Sequence, residues 1–301
     1  MDRHPGRDAS RERNRMTAER TPVFPCLSTL LADPFAIDGP TFDATIDALV
    51  AAGADGVSWW TLHELLLASE DRTGDDVRAR FVDAGLAVGC VEALHGWANA
   101  ATPADAVADA APWLAIAAAH GAPHLVAVCL EPELTSPDAT VANLAAVADR
   151  AAEVDVTICV EFLPWTGIAD LTTCWDLLRR SERTNVGVCL DAWHWHRQPG
   201  GPLGRHAETL ASMPSWAVPL FQACDAGSEP WDDPMAECMA ARPLPGEGEV
   251  DLGHLLGVLD DIGAVPMVCP EPFNPGMVTD FGVDEAARRM VEATRAVLAR
   301  S

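Results

Sequence analysis

The sequence predicts a single (β/α)₈ barrel, and two features that repeat along the chain support this prediction. From residue 22 onward, short apolar runs rich in Val, Leu and Cys alternate with longer segments of helical periodicity. There are eight such runs, most starting about 30 residues apart, as strand–loop–helix–loop units require. A chain of 301 residues suits one barrel domain.

The individual elements follow from these runs and from the residues that end them. The predicted strands are residues 23–30, 56–60, 87–93, 124–130, 156–161, 186–191, 219–225 and 265–271. The predicted helices are residues 43–52, 103–120, 136–153, 172–180, 251–262 and 284–300, several of which end at a glycine. An open doubly wound sheet is the alternative, but no glycine-rich GxGxxG turn follows the first predicted strand.

The first 20 residues differ in composition from the rest of the chain. Residues 1–20 are charged and lack the apolar stretch of a signal peptide, so we expect a disordered tail before a barrel domain at 21–301, with Met1 or Met16 as the start. No apolar run reaches the ~18 residues of a membrane span. The nine cysteines form no CxxC pair, which indicates reduced thiols and a cytoplasmic protein.

The charge balance limits the chemistry. The net charge is −25, and all 20 basic residues are Arg. Without Lys, a Schiff base on a lysine is excluded. Such an acidic chain also argues against a nucleic-acid partner, because phosphate binding needs a basic surface.

Three predicted strands end in the same pattern of cysteine, spacer and carboxylate: CVE, CLD and CPE. The carboxylates are Glu161, Asp191 and Glu271. Side chains two residues apart in a strand point to the same side, so each cysteine should pack in the barrel one step below its carboxylate. Gln222 and Asp225 lie at the end of the seventh predicted strand. Acids that meet at one barrel mouth repel each other, and a hard divalent ion would relieve that repulsion.

The blocks VEFLPW, GVCLDAWHWH, FQACDA, RPLPGEGEVDL and PEPFN resemble the xylose-isomerase-like TIM-barrel superfamily, which includes sugar isomerases, ketose 3-epimerases and dehydratases. The resemblance covers residues 22–295. It implies a single (β/α)₈ TIM barrel with one divalent ion, Mn²⁺ first and Mg²⁺ or Co²⁺ as alternatives. The implied ligands are Glu161, Asp191, Gln222 and Glu271.

The resemblance also implies roles for side chains around the metal. His194 and Arg242 would face the substrate, His194 as an acid or base and Arg242 as a donor to substrate oxygens. His95, Trp165 and Trp193 are further candidates for substrate contacts, the indoles through stacking on a ring.

Three functions remain open at this point. The first is an isomerase or epimerase that acts on a small sugar or keto-polyol through a metal-bound enediolate, with Glu161 and Glu271 as the acid/base pair. The second is a dehydratase of the 3-dehydroshikimate or inosose type, with His194 as the acid. Gln222 favours it, because ketose 3-epimerases usually carry His there. The third is a non-catalytic barrel subunit. We expect a small-molecule substrate, no membrane or nucleic-acid partner, and a homodimer or homotetramer.

Overall fold

Seven parallel strands, in the same order as along the chain, form the sheet at the centre of this computed structural model, which describes residues 21–300. The strands are β1 (Gly56–Trp60), β2 (Ala87–Leu94), β3 (His124–Val128), β4 (Thr157–Glu161), β5 (Val186–Asp191), β6 (Leu220–Ala223) and β7 (Met267–Pro270). Each lies within the corresponding predicted run or differs from it by one residue. The sheet and the surrounding helices confirm the barrel.

The first predicted strand closes this barrel but is shorter than expected. Val23 bridges to Val268 of β7, and Cys26 bridges to Ser58 of β1, so the segment occupies the eighth position. Pro25 has no N–H and can only accept, which it does from Ser58 at 2.9 Å. From Leu27 to Leu30 the chain forms a 3₁₀ helix. The prediction of a strand up to residue 30 was therefore wrong beyond Cys26.

Within residues 21–300, twelve α-helices cover the sheet or lie in its loops. They are α1 (Gly39–Ala52), α2 (Thr61–Ala68), α3 (Gly74–Asp83), α4 (Pro103–His120), α5 (Pro137–Ala152), α6 (Leu171–Ser181), α7 (Ala192–Arg197), α8 (Arg205–Ala211), α9 (Pro234–Ala240), α10 (Leu252–Asp261), α11 (Pro275–Phe281) and α12 (Val283–Leu298). Six of them correspond to predicted helices, and the sequence signals at their ends match. Ser136 and Asp170, for example, each accept a hydrogen bond from the backbone N–H three residues later.

The helix layer also closes on itself, because α12 packs against α1. None of the helices in residues 21–300 is long and apolar enough to cross a bilayer. The predicted tail at residues 1–20 lies outside the part of the chain that the structure describes.

A layer of thiols fills the barrel interior below its mouth. Its cysteines have no exposed surface and pack in one cluster with apolar side chains such as Val126 and Leu220. They are Cys26, Cys90, Cys159, Cys189 and Cys269. The prediction that Cys159, Cys189 and Cys269 are core is confirmed, and Cys26 and Cys90 join them. This packing fixes the direction of the carboxylates, since residues two apart share a side of the strand.

The thiol layer should be inert in the native protein. Burial raises the pKa of Cys26, Cys159, Cys189 and Cys269 well above that of an ordinary thiol. We expect an aromatic disulfide reagent at pH 8 to label these residues only as the protein unfolds, and all nine cysteines in denaturant. Mass spectrometry of the labelled peptides measures this. Rapid labelling of any cysteine of the layer in native conditions would contradict the packing.

Candidate metal and active site

The four predicted ligands lie in one buried region at the carboxyl ends of neighbouring strands. Glu161 ends β4, Asp191 ends β5, Gln222 belongs to β6 and Glu271 follows β7. None exposes more than 6% of its surface. Burial raises the pKa of Glu271 well above its usual range, and the charges of Glu161 and Asp191 add to that shift. Ligand oxygens of Glu161 and Asp191 lie within 4.8 Å of each other.

Arg242 brings a guanidinium into this region. Its Nη1 lies 2.8 Å from Asp191 Oδ2 and 3.3 Å from Glu271 Oε2, and its Nε donates to the Cys238 carbonyl at 2.8 Å. The guanidinium is buried, and the ring of Phe273 lies 5.4 Å from its Cζ. One side chain thus links two of the predicted ligands.

His194 completes the polar cluster from the first turn of α7. Asp191 accepts its backbone N–H at 2.8 Å, so the residue that ends β5 also caps α7. His194 Nε2 lies 3.1 Å from Glu161 Oε1 and 3.2 Å from Arg242 Nη2. Burial alone would lower the pKa of His194, but the negative charge of Asp191 and contacts with Cys238 and Glu161 raise it to about 9. When His194 is protonated, its Nε2 donates to Glu161.

Glu92 of β2 is a fourth buried carboxylate, which the predicted site did not include. Ser58 Oγ donates to one of its oxygens, and Gln222 Nε2 lies 3.4 Å from the other. Burial raises the pKa of Glu92, and repulsion from Glu161 adds to the shift. A sequence signal existed, since Cys90 and Glu92 repeat the cysteine–spacer–carboxylate pattern within a strand.

The donor set fits a divalent cation. Four carboxylates are buried here (Glu92, Glu161, Asp191 and Glu271), whereas Arg242 and His194 together offer at most two positive charges. An excess of buried negative charge is unfavourable without a counterion. Ligand atoms of Glu161, Asp191 and His194 all lie within 4.8 Å of one another. The oxygens of Gln222 and Glu271 would complete the oxygen-rich set that a hard ion prefers.

The predicted aromatic and histidine contacts lie at different distances from this cluster. Trp165 is half-buried with its ring 5.6 Å from that of His194, so it borders the site. Trp193 is fully buried, and its Nε1 donates to Glu237 at 3.2 Å. His95 is exposed and packs edge-on against Trp113 of α4, so its ring contact is with a helix and not with the cluster.

Asp225 organises the loop that follows Arg242. Its carboxylate accepts backbone N–H groups from Ala226, Gly246 and Val250 at 2.8–2.9 Å. Gly248 passes so close that a Cβ there would lie 2.3 Å from the Ala226 carbonyl oxygen. The PGEGEV segment is thus a tight loop held by one acid, which explains its glycines.

Comparison with known proteins places this architecture in a family. The sequence profile of the family described as xylose isomerase-like TIM barrel matches residues 46–297. A 3-dehydroshikimate dehydratase of Pseudomonas aeruginosa is 27% identical over 249 residues, which cover 78% of this chain and 37% of the dehydratase. An inosose isomerase of Bacillus licheniformis is 27% identical over 187 residues, which cover 60% of this chain and 64% of the isomerase.

The chain therefore spans less than two thirds of the length of either relative. Among solved structures, the IolI protein with a bound zinc atom superimposes with a TM-score of 0.77 and 21% identity. That match covers 93% of this chain and 98% of IolI, and at this identity it supports the fold alone.

Replacement of Arg242 by Met should strongly destabilise the metal-free protein. The variant leaves Asp191 and Glu271 buried without their guanidinium, and breaking a buried pair in this way costs about 3–5 kcal/mol. Chemical denaturation in the presence of a chelator measures the loss. Arg288→Met, which removes two ion pairs on the surface of α12, is the control and should change stability little. An Arg242→Met protein as stable as the wild type would show that the contacts of Arg242 with Asp191 and Glu271 contribute nothing to the free energy of unfolding.

Proposed function

The chain belongs to the xylose isomerase-like TIM barrel family, and from this premise we propose that it is a divalent-metal-dependent isomerase or epimerase acting on a small sugar or keto-polyol. The observation that carries the proposal is the buried cluster at the barrel mouth, where carboxylates outnumber cations. Such a cluster supplies both a cation site and carboxylates able to exchange protons with a substrate.

We assign the ion to Glu161, Asp191, Gln222 and Glu271, whose oxygens suit Mn²⁺ best, with Mg²⁺ or Co²⁺ as alternatives. Zinc is a further candidate, by analogy with the zinc atom in IolI. When bound, a divalent ion supplies positive charge that stabilises negative charge as it develops on substrate oxygens.

Glu161 and Glu271 are the proposed acid/base pair. They extend from β4 and β7, so they approach the mouth from different sides of the barrel. One removes the proton from the carbon beside the substrate carbonyl, and the other returns a proton on the other face. His194 holds Glu161 through the 3.1 Å contact. Arg242, between Asp191 and Glu271, is placed to donate to a substrate oxygen that gains charge.

A dehydratase is the second candidate, and two observations favour it. The relative named 3-dehydroshikimate dehydratase matches 78% of this chain. His194 lies beside Glu161, so a base and a proton donor are adjacent. In this reaction Glu161 takes the α-proton, the carbon–carbon double bond forms, and His194 protonates the β-hydroxyl, which leaves as water.

Substitution of either proposed base should abolish exchange of the substrate proton with solvent. Glu161→Gln and Glu271→Gln keep the shape but remove the basic oxygen. We expect exchange in deuterated water, followed by NMR on a panel of keto-polyols, to fall about 10²–10⁴-fold. Glu247→Gln is the matched control, since Glu247 is exposed on the neighbouring loop. Exchange that persists in both variants would remove the assigned roles.

The product that forms distinguishes the isomerase reaction from the dehydratase reaction. Elimination of water from a β-hydroxy ketone gives a conjugated enone with a new ultraviolet absorbance, whereas isomerisation gives none. If the protein is a dehydratase, His194→Gln should suppress enone formation much more than proton exchange. His196→Gln, two residues further on, should suppress neither. Isomerised product without any enone would decide for the isomerase.

A further inference from the structure

Gln222 differs from the other three assigned ligands because its side chain has two unlike ends. Only the amide oxygen can bind a cation, whereas the amide NH₂ carries partial positive charge. Rotation of the amide by half a turn would therefore replace a ligand with a group that the ion repels. A neighbour must favour one of the two orientations if Gln222 is to serve as a ligand.

The contacts of Gln222 identify that neighbour. Its Nε2 lies 3.4 Å from Glu92 Oε2, although the two residues are 130 positions apart in sequence. In this contact the Glu92 oxygen accepts from the Gln222 NH₂, so it favours the orientation with the NH₂ end toward Glu92. On the other side, Cys189 Sγ donates to Gln222 Oε1 at 3.0 Å. A thiol is a weak donor and occupies one lone pair, which leaves the other for an ion.

Glu92 is itself fixed in place. It exposes 4% of its surface, and its second oxygen accepts from the Ser58 hydroxyl of β1. Cys90 Sγ lies 3.6 Å from that same oxygen. With one oxygen held by Ser58 and the other facing Gln222, the carboxylate has no freedom to change its partner without breaking a buried contact.

We propose that Glu92 is a positioning residue that orients the Gln222 amide so that its oxygen serves a divalent ion. This inference rests on the proposed function, because it assumes that the ion binds Gln222. It adds a residue from β2 to a site whose ligands all come from β4 to β7, and it gives a reason why an amide is an adequate ligand at this position.

Glu92 is also an ionisable group, and the experiment must separate an effect of charge from an effect of orientation. Glu92→Gln and Glu92→Met both remove the charge and have similar length. Only the amide of the Gln variant retains an oxygen that can accept from Gln222 Nε2. A difference between these two variants therefore reports the hydrogen bond, and that difference must depend on Gln222.

The test is the dissociation constant of Mn²⁺, measured through the electron paramagnetic resonance signal of the free ion. We expect Glu92→Met to weaken binding about 10- to 100-fold, the usual effect of removing a partner that orients a ligand. Glu92→Gln should recover most of this loss. In a Gln222→Ala background the two variants should bind Mn²⁺ equally. Equal affinities of Glu92→Met and Glu92→Gln with Gln222 present would overturn the proposal.

A second variant covers the case in which Glu92→Met does not fold. Ser58→Ala releases one oxygen of Glu92 and should weaken Mn²⁺ binding with Gln222 present, but not in Gln222→Ala. An unchanged affinity would count against the proposal. A wild-type protein that binds neither Mn²⁺ nor Zn²⁺ would overturn the metal site and this inference together. Metal binding with no Glu92 effect would overturn this inference alone.

Discussion

The burial of four carboxylates at one barrel mouth is the constraint on which the rest of the site depends. Glu92, Glu161, Asp191 and Glu271 are each almost fully removed from water, and repulsion among them adds to the pKa shifts of Glu92 and Glu271. Such a cluster is stable only if positive charge or donated protons balance it. The guanidinium of Arg242 and the imidazole of His194 supply part of that balance. A divalent ion would supply the rest and would join residues from separate strands.

Asp191 shows how the fold and the charge balance depend on each other. It ends β5, accepts the backbone N–H of His194 at the start of α7, and pairs with Arg242. The same carboxylate therefore sets the direction of the loop and holds the main cation. Below Asp191, the buried thiol layer forms an apolar layer of packed side chains under the barrel mouth. The carboxylates thus project upward from positions that strand alternation fixes.

Most of the fold and the strand-borne part of the site could be predicted from the sequence, because both follow from periodicity. The cysteine–spacer–carboxylate pattern predicted that the side chains of Glu161, Asp191 and Glu271 all point into the barrel mouth. Applied to CVE at residues 90–92, it would also have found Glu92. The pattern holds only inside a strand. Cys129 and Glu131 repeat it just after β3 ends, where alternation no longer applies, and Glu131 remains partly exposed.

Beyond the strands, the family resemblance predicted His194 and Arg242, but the contacts that hold them could not be predicted, because those contacts join distant segments. Glu237 of α9 binds Arg197 at 2.7 Å and Trp193 at 3.2 Å, and this anchors the helix whose Cys238 carbonyl accepts from Arg242. No short-range pattern encodes that arrangement. The two candidate reactions share the strand carboxylates and differ in whether His194, on the short helix α7 after β5, delivers a proton to a leaving hydroxyl. The choice of reaction therefore depends on the loops, which is why the strand motifs alone do not determine it.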